Sequence, residues 1–345
     1  MRSIFTVLLA FAAGVLLMLW LPGHANRPPL AKPSNATHMP APAASSKPVS
    51  PASDADSAND GPADDWPNGA PSPEQVLYAQ PRMVRQALAA LTPRVAGKPN
   101  LYLLTFAGDG SEDVFRNEAE YAARLFAQRF GATAHTLVLE NNPASLGTHP
   151  LASWSNLELA LDGLSKLMHR DQDILMLYAT SHGDEAHDLL VDMDPLPLDQ
   201  IGARDLAGIL AEHRFRWKVV VVNACYSGGF IPALQGSGTL VLTAARSDRS
   251  SFGCGNDSDI TYFGRAWLVD GLNRNADFVT AFQQARSEIA GWEKRDGLTP
   301  SQPQIAIGSG INEQLARWRK GFRAGPTLPF NAAAPAAISG AVVTP

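Results

Sequence analysis

Two unbroken apolar runs organise the pattern of hydrophobic and polar positions. Residues 219–222 are four consecutive valines, and residues 174–179 read Ile-Leu-Met-Leu-Tyr-Ala. Runs of this length without alternation predict strands covered on both faces, as in a parallel sheet. Residues 101–108 and 238–244 read the same way; residues 133–139 alternate enough for a strand, and 304–307 make a last short one. Between these runs apolar residues recur at helical spacing. That predicts helices over residues 73–90, 115–130, 156–168, 197–213, 261–272 and 278–292. Residues 188–193 suggest a short extra strand. Strands alternating with helices predict an α/β fold, a mostly parallel sheet of about six strands between two helical layers. No internal repeat is present.

Composition limits how much of the 345 residues belongs to that domain. Residues 26–73 hold 11 of the 26 prolines and few large apolar side chains, so they read as a disordered tether. The stretch after Lys320 is also rich in Ala and Pro and reads as a flexible tail, residues 321–345. One domain over residues 74–320 remains. At the amino terminus Arg2 precedes the uncharged apolar residues 4–21. Two readings stand side by side. A signal peptide over residues 1–25 would end at Gly23-His24-Ala25. An uncleaved anchor would tether the domain through residues 4–21, since a span takes ~17–25 apolar residues. Both export the domain, to the periplasm or to a membrane face outside the cytoplasm. A net charge of −5 gives no basic footprint and argues against nucleic acid as a partner.

The chemistry gathers where the two strongest runs end. Residues 219–222 lead into Asn223-Ala224-Cys225, with Gly228-Gly229 just beyond, and the run at 174–179 leads into Ser181-His182-Gly183. Open parallel sheets place their chemistry at the carboxyl ends of strands. A thiol there, with an imidazole on a neighbouring strand to lower its pKa, is a nucleophile and its partner. Cys254 is the second of two cysteines, so a Cys225–Cys254 disulfide is the competing reading in an oxidising compartment. The position of Cys225 beside a His-Gly turn favours two free thiols. His182, Asp184 and His187 lack the spacing of a metal site. His135, His149 and His213 read as surface or boundary histidines.

Ser181-His182-Gly183, Asn223-Ala224-Cys225 and the block TAARSDRSSFGC around Ser250 resemble the legumain (asparaginyl endopeptidase) family of cysteine peptidases, over residues 100–308. That resemblance implies a caspase-like three-layer sandwich, a peptide or protein substrate, and no metal or organic cofactor. It makes Cys225 the nucleophile, His182 its partner, and the backbone N–H groups of Gly183 and Cys225 the oxyanion donors. It also places Arg116 and Ser250, with Ser251 and Asn223 beside them, around the P1 side chain. Legumains carry acids where this chain has Asn223 and Arg265, and an asparagine where it has Val114. Arg116 is therefore expected to lack neutralising charge and to accept P1 Asp at least as well as P1 Asn. The same dyad would serve a transpeptidase, and a peptide-binding module without catalysis is the non-enzymatic alternative. Oligomeric state is not indicated.

Overall fold

The computed structural model describes residues 66–255 and 257–332. Among them eight strands form: β1 (Leu101–Ala107), β2 (Ala134–Glu140), β3 (Ile174–Thr180), the two-residue β4 (Asp188–Leu189) and β5 (Ile201–Gly202), β6 (Trp217–Asn223), β7 (Thr239–Thr243) and β8 (Gln304–Ile307). Six build one sheet in the order β2-β1-β3-β6-β7-β8, parallel except for the antiparallel edge strand β8. The long helices are α1 (Pro73–Ala89), α2 (Asp113–Phe130), α3 (Trp154–Leu167), α4 (Ala203–Glu212), α5 (Phe278–Arg295) and α6 (Ile311–Arg319).

The unbroken apolar runs are explained by two cores. Val219 and Val221 face a layer made by α2, α5 and α6, while Val220 and Val222 face α1, α3 and α4. Leu101 and Leu103 of β1 divide from Tyr102, Leu104 and Phe106 in the same way. Each fully buried valine of this kind stabilises the fold by about 2 kcal/mol. The three-layer α/β sandwich with a mostly parallel six-stranded sheet is the expected fold class.

Several local expectations need correction. Of the extra strand, Asp188–Leu189 pairs with Ile201–Gly202 in a separate small sheet, and Asp192 makes an isolated bridge with Asp109. The chain then turns toward β1, where the Asp192 N–H bonds to the Gly108 carbonyl at 2.9 Å. The helix expected from residue 197 begins at Ala203, because Asp205 rather than Asp199 supplies the cap, accepting the Gly202 N–H at 3.1 Å. Residues 261–272 are not one α-helix: Tyr262–Gly264 is followed by a π-helix, Arg265–Leu272. Apolar spacing over three turns does not separate the two. Helix α6 was not anticipated, although Ile311, Leu315 and Trp318 carry its buried stripe.

The flexible tail expected from residue 321 is also corrected as far as residue 332. Phe322, Leu328 and Phe330 pack on the α2 face of the sheet. The Tyr121 hydroxyl donates to the Leu328 carbonyl at 2.9 Å, and Asn273 exchanges two hydrogen bonds with the Leu328 backbone. Residues 1–25, most of the tether and residues 333–345 lie outside the described residues. Among the described residues no helix is long and apolar enough to cross a membrane.

Candidate active site

Strand order places a switch point between β1 and β3, because the chain leaves β1 toward β2 and returns on its other side. Ala107, Thr180 and Asn223 are register partners, so β1, β3 and β6 end in one row. The loops after all three begin at the same level. The Gly108 N–H bonds to the Thr180 carbonyl at 3.0 Å, and the Ser181 N–H to the Asn223 carbonyl at 3.2 Å. This row sets the histidine turn directly against the cysteine turn. A Cβ on Gly183 would be driven into the Cys225 carbonyl oxygen, so the approach requires glycine.

Cys225 is half-buried and its thiol is free, as is that of Cys254. The Ser251 N–H donates to the Cys225 sulfur at 3.3 Å, and the Ser251 hydroxyl lies 3.6 Å away. The Cys254 thiol bonds to the same sulfur; together with Ser251 and Ser250 it outweighs burial and holds Cys225 well below the usual thiol range, at about 5. The same bond pushes Cys254 up. The thiolate is thus stabilised by donors on the loop after β7. Tyr226, next in the chain, adopts a left-handed conformation (φ 56°), which turns the backbone sharply away from the sulfur.

His182 is a third exposed and stands edge-on to Phe115, with ring centroids 5.1 Å apart. Its Nε2 lies 3.3 Å from Glu112 Oε2 and 3.6 Å from Asp109 Oδ2, both on the loop after β1. Glu112 Oε2 is buried and has no other hydrogen-bond partner. Among the described residues no hydrogen bond joins His182 to Cys225: the two turns meet through their backbones, and each side chain has its own partners. Neither the Gly183 N–H nor the Cys225 N–H donates to another group among the described residues.

The expected pocket residues separate. Ser250 and Ser251 lie on the loop that faces Cys225. Arg116 is buried; it donates to Asn142 Oδ1 at 2.9 Å and lies 3.3 Å from Asp113 Oδ1. The expectation that its charge stands unneutralised is corrected by Asp113. Arg265 is half-exposed and pairs with Asp270 at 3.4 Å. Asn223, expected to touch substrate, is 1% exposed and turned beneath the site. Its amide donates to Glu118 Oε2 at 2.7 Å, and the Tyr178 and Thr180 hydroxyls donate to the same oxygen. The Thr261 N–H completes the set on Glu118 Oε1 at 2.8 Å.

Sequence reasoning missed Glu118, Glu112 and Asp109. Glu118 falls in the buried stripe of α2, and its pKa is raised by burial, against the pull of the groups that donate to it. A charged residue amid a helix's apolar positions was the available signal. Asp109 and Glu112 belong to an acidic turn that spacing alone could not aim at His182. His135, expected at the surface, is buried and stacked on Tyr102 with centroids 4.4 Å apart.

A half-buried thiol among hydrogen-bond donors at the end of a central parallel strand is the arrangement that a cysteine nucleophile needs. Residues 158–313 match the model of the Peptidase C13 family, which supports a cysteine-type peptidase. It includes the His182 and Cys225 turns and begins after α2, so Arg116 and the acids of the β1 loop lie outside it. No curated protein matches the chain. Among solved structures, caspase-1 from Spodoptera frugiperda is similar with 12% identity and a TM-score of 0.43, covering 61% of this chain and 86% of the caspase.

Proposed function

We propose that the protein is an exported endopeptidase that cleaves peptide or protein chains through Cys225 and His182. The observation that carries this reading is the seating of Gly183 against Cys225. It places two uncommitted backbone N–H groups beside a thiol held as thiolate. The Cys225 thiolate attacks the scissile carbonyl carbon, and the oxygen that becomes an anion is met by the N–H groups of Gly183 and Cys225. Such a donor contributes about 3–4 kcal/mol to the transition state. The His182 imidazolium gives its proton to the departing amine, leaving an acyl-enzyme. Water then attacks the thioester, His182 takes the water's proton, and the thiolate is released with the carboxylic acid product. Asp109 and Glu112, 3.6 and 3.3 Å from Nε2, orient the imidazole.

Arg116, Ser250 and Ser251 are assigned to the P1 side chain. Asp113 beside Arg116 keeps that pocket closer to neutral, which suits Asn as well as Asp. Residues 1–25 are assigned to export, residues 26–73 to a tether, and the domain that begins at residue 74 to catalysis. Incubation of the purified chain with a diverse peptide library, read by mass spectrometry, tests the reading. Cleavage after Asn or Asp, lost in Cys225→Ala, supports it; an intact library rejects hydrolysis. Ligation of added amines in place of cleavage would convert it to a transpeptidase. A reporter fused behind residues 1–73 tests export.

A further inference from the structure

The end of β2 carries a second cluster of chemistry-bearing side chains, away from the thiol. Glu140 is the last residue of β2, Glu120 projects from α2, and His149 lies on the loop that follows β2. One ligand atom from each falls within 4.8 Å of the other two. Glu140 is 1% exposed, and its Oε2 accepts no hydrogen bond. Its Oε1 lies 3.1 Å from His149 Nδ1. Buried carboxylates are ordinarily surrounded by donors, as Glu118 is here, so a buried carboxylate with a bare oxygen and a second acid close by calls for a positive partner. Arg124 is 3.0 Å from Glu120 Oε2. His149 and Arg124 also line a groove of about 760 Å³ beside α1, which gives the cluster a path to solvent.

We propose that Glu120, Glu140 and His149 form a binding site for one divalent transition-metal ion of the zinc type. One imidazole nitrogen and two carboxylates give a three-ligand set with one position left for water, a set that suits zinc. Magnesium and calcium take six or more oxygens and fit it poorly. The ion would cross-link the end of β2, α2 and the 141–153 loop. Two residues beyond Glu140, Asn142 accepts the hydrogen bond from Arg116, so the ion would brace the segment behind that arginine. The site stands apart from the thiol and does not depend on the proposed peptidase chemistry.

Calorimetric titration of the full chain with Zn²⁺ tests this, after iodoacetamide has blocked both thiols so that they cannot act as ligands. The expected result is one ion per chain with Kd below about 1 μM, weakened at least tenfold by Glu140→Gln and by His149→Gln, with Mg²⁺ not competing. Thermal melts of the two variants without metal check that each is folded; if one is not, Glu120→Gln takes its place under the same criterion. Binding that is absent, or equally tight in the folded variants, would overturn the proposal and leave Glu140 and His149 as an ion pair.

Discussion

The backbone N–H of Ser251 points at the Cys225 sulfur from 3.3 Å, across the gap between the loops after β7 and β6. A backbone donor cannot rotate away, so this bond favours the thiolate as long as the loop holds its shape.

Alkylation of Cys225 by iodoacetamide is therefore expected to have a midpoint near pH 5. An ordinary thiol titrates at about 8.5. The thiolate is present above the midpoint, so reactivity falls as pH drops through it. Because the Cys254 thiol is the largest contributor, Cys254→Ala should move the midpoint upward. Mass spectrometry of the modified peptide across pH 4–9 checks both points. A midpoint above pH 8 in the unmodified chain would remove the activated nucleophile and favour a module that binds peptide without cutting it.

Cys225→Ala and His182→Ala should each lower peptide turnover by at least about a thousandfold while the thermal midpoint stays within a few degrees. Neither side chain is part of the two apolar cores, and both are partly exposed. A folded variant with near-normal turnover would reject its residue as a member of the dyad.

Glu112→Gln should lower kcat/KM by about tenfold or more, through loss of the carboxylate that orients the His182 ring from 3.3 Å. Asp109→Asn should act in the same direction, from 3.6 Å rather than 3.3 Å. The informative readout is the split between kcat and KM: a loss carried by kcat marks a residue that orients the imidazole for the chemical step. A kcat equal to the parent's would mean that the carboxylates only shape the loop.

Glu118 yields a stability prediction with a definite sign. Its folded pKa is raised by burial, so between the unfolded carboxylate pKa of about 4.3 and the higher folded value the native state holds the extra proton. Stability then falls as pH rises through that window. Glu118→Gln, neutral at every pH, should lack this decline, which thermal melts from pH 4 to 8 would reveal. Glu118→Ala would strand the donors of Tyr178, Thr180, Asn223 and Thr261 and cost at least about 3 kcal/mol.

The strands and the meeting of the His182 and Cys225 turns were legible because strong local signals announce them. A valine block can only be a doubly covered strand here, and a thiol after it can only stand at the sheet's end. The helix expected at residue 197 starts late because Ile201–Gly202 is drawn into pairing with Asp188–Leu189, a contact the local sequence does not announce. Asn223 misled for a different reason. Its position in the chain predicts the pocket, but the row formed with Thr180 turns its amide down onto Glu118. The carboxyl-terminal segment misled by composition: Ala and Pro suggest mobility, yet three large apolar residues among them are enough to fasten it.

Helix α2 connects that segment to the chemistry. It runs 18 residues, about 27 Å at 1.5 Å per residue, with Arg116 and Glu118 in its first turns and Arg129 and Phe130 in its last. At the far end the Gly325 N–H bonds to the Arg129 carbonyl, Arg129 bonds back to the Gly325 carbonyl, and Phe322 packs on Phe130. The helix is a stiff rod pinned at both ends, and its outer pin lies in residues that look dispensable. Cutting the chain back to Lys320 would free that end, and the slack would be felt first by the buried carboxylate that holds the cysteine strand in place.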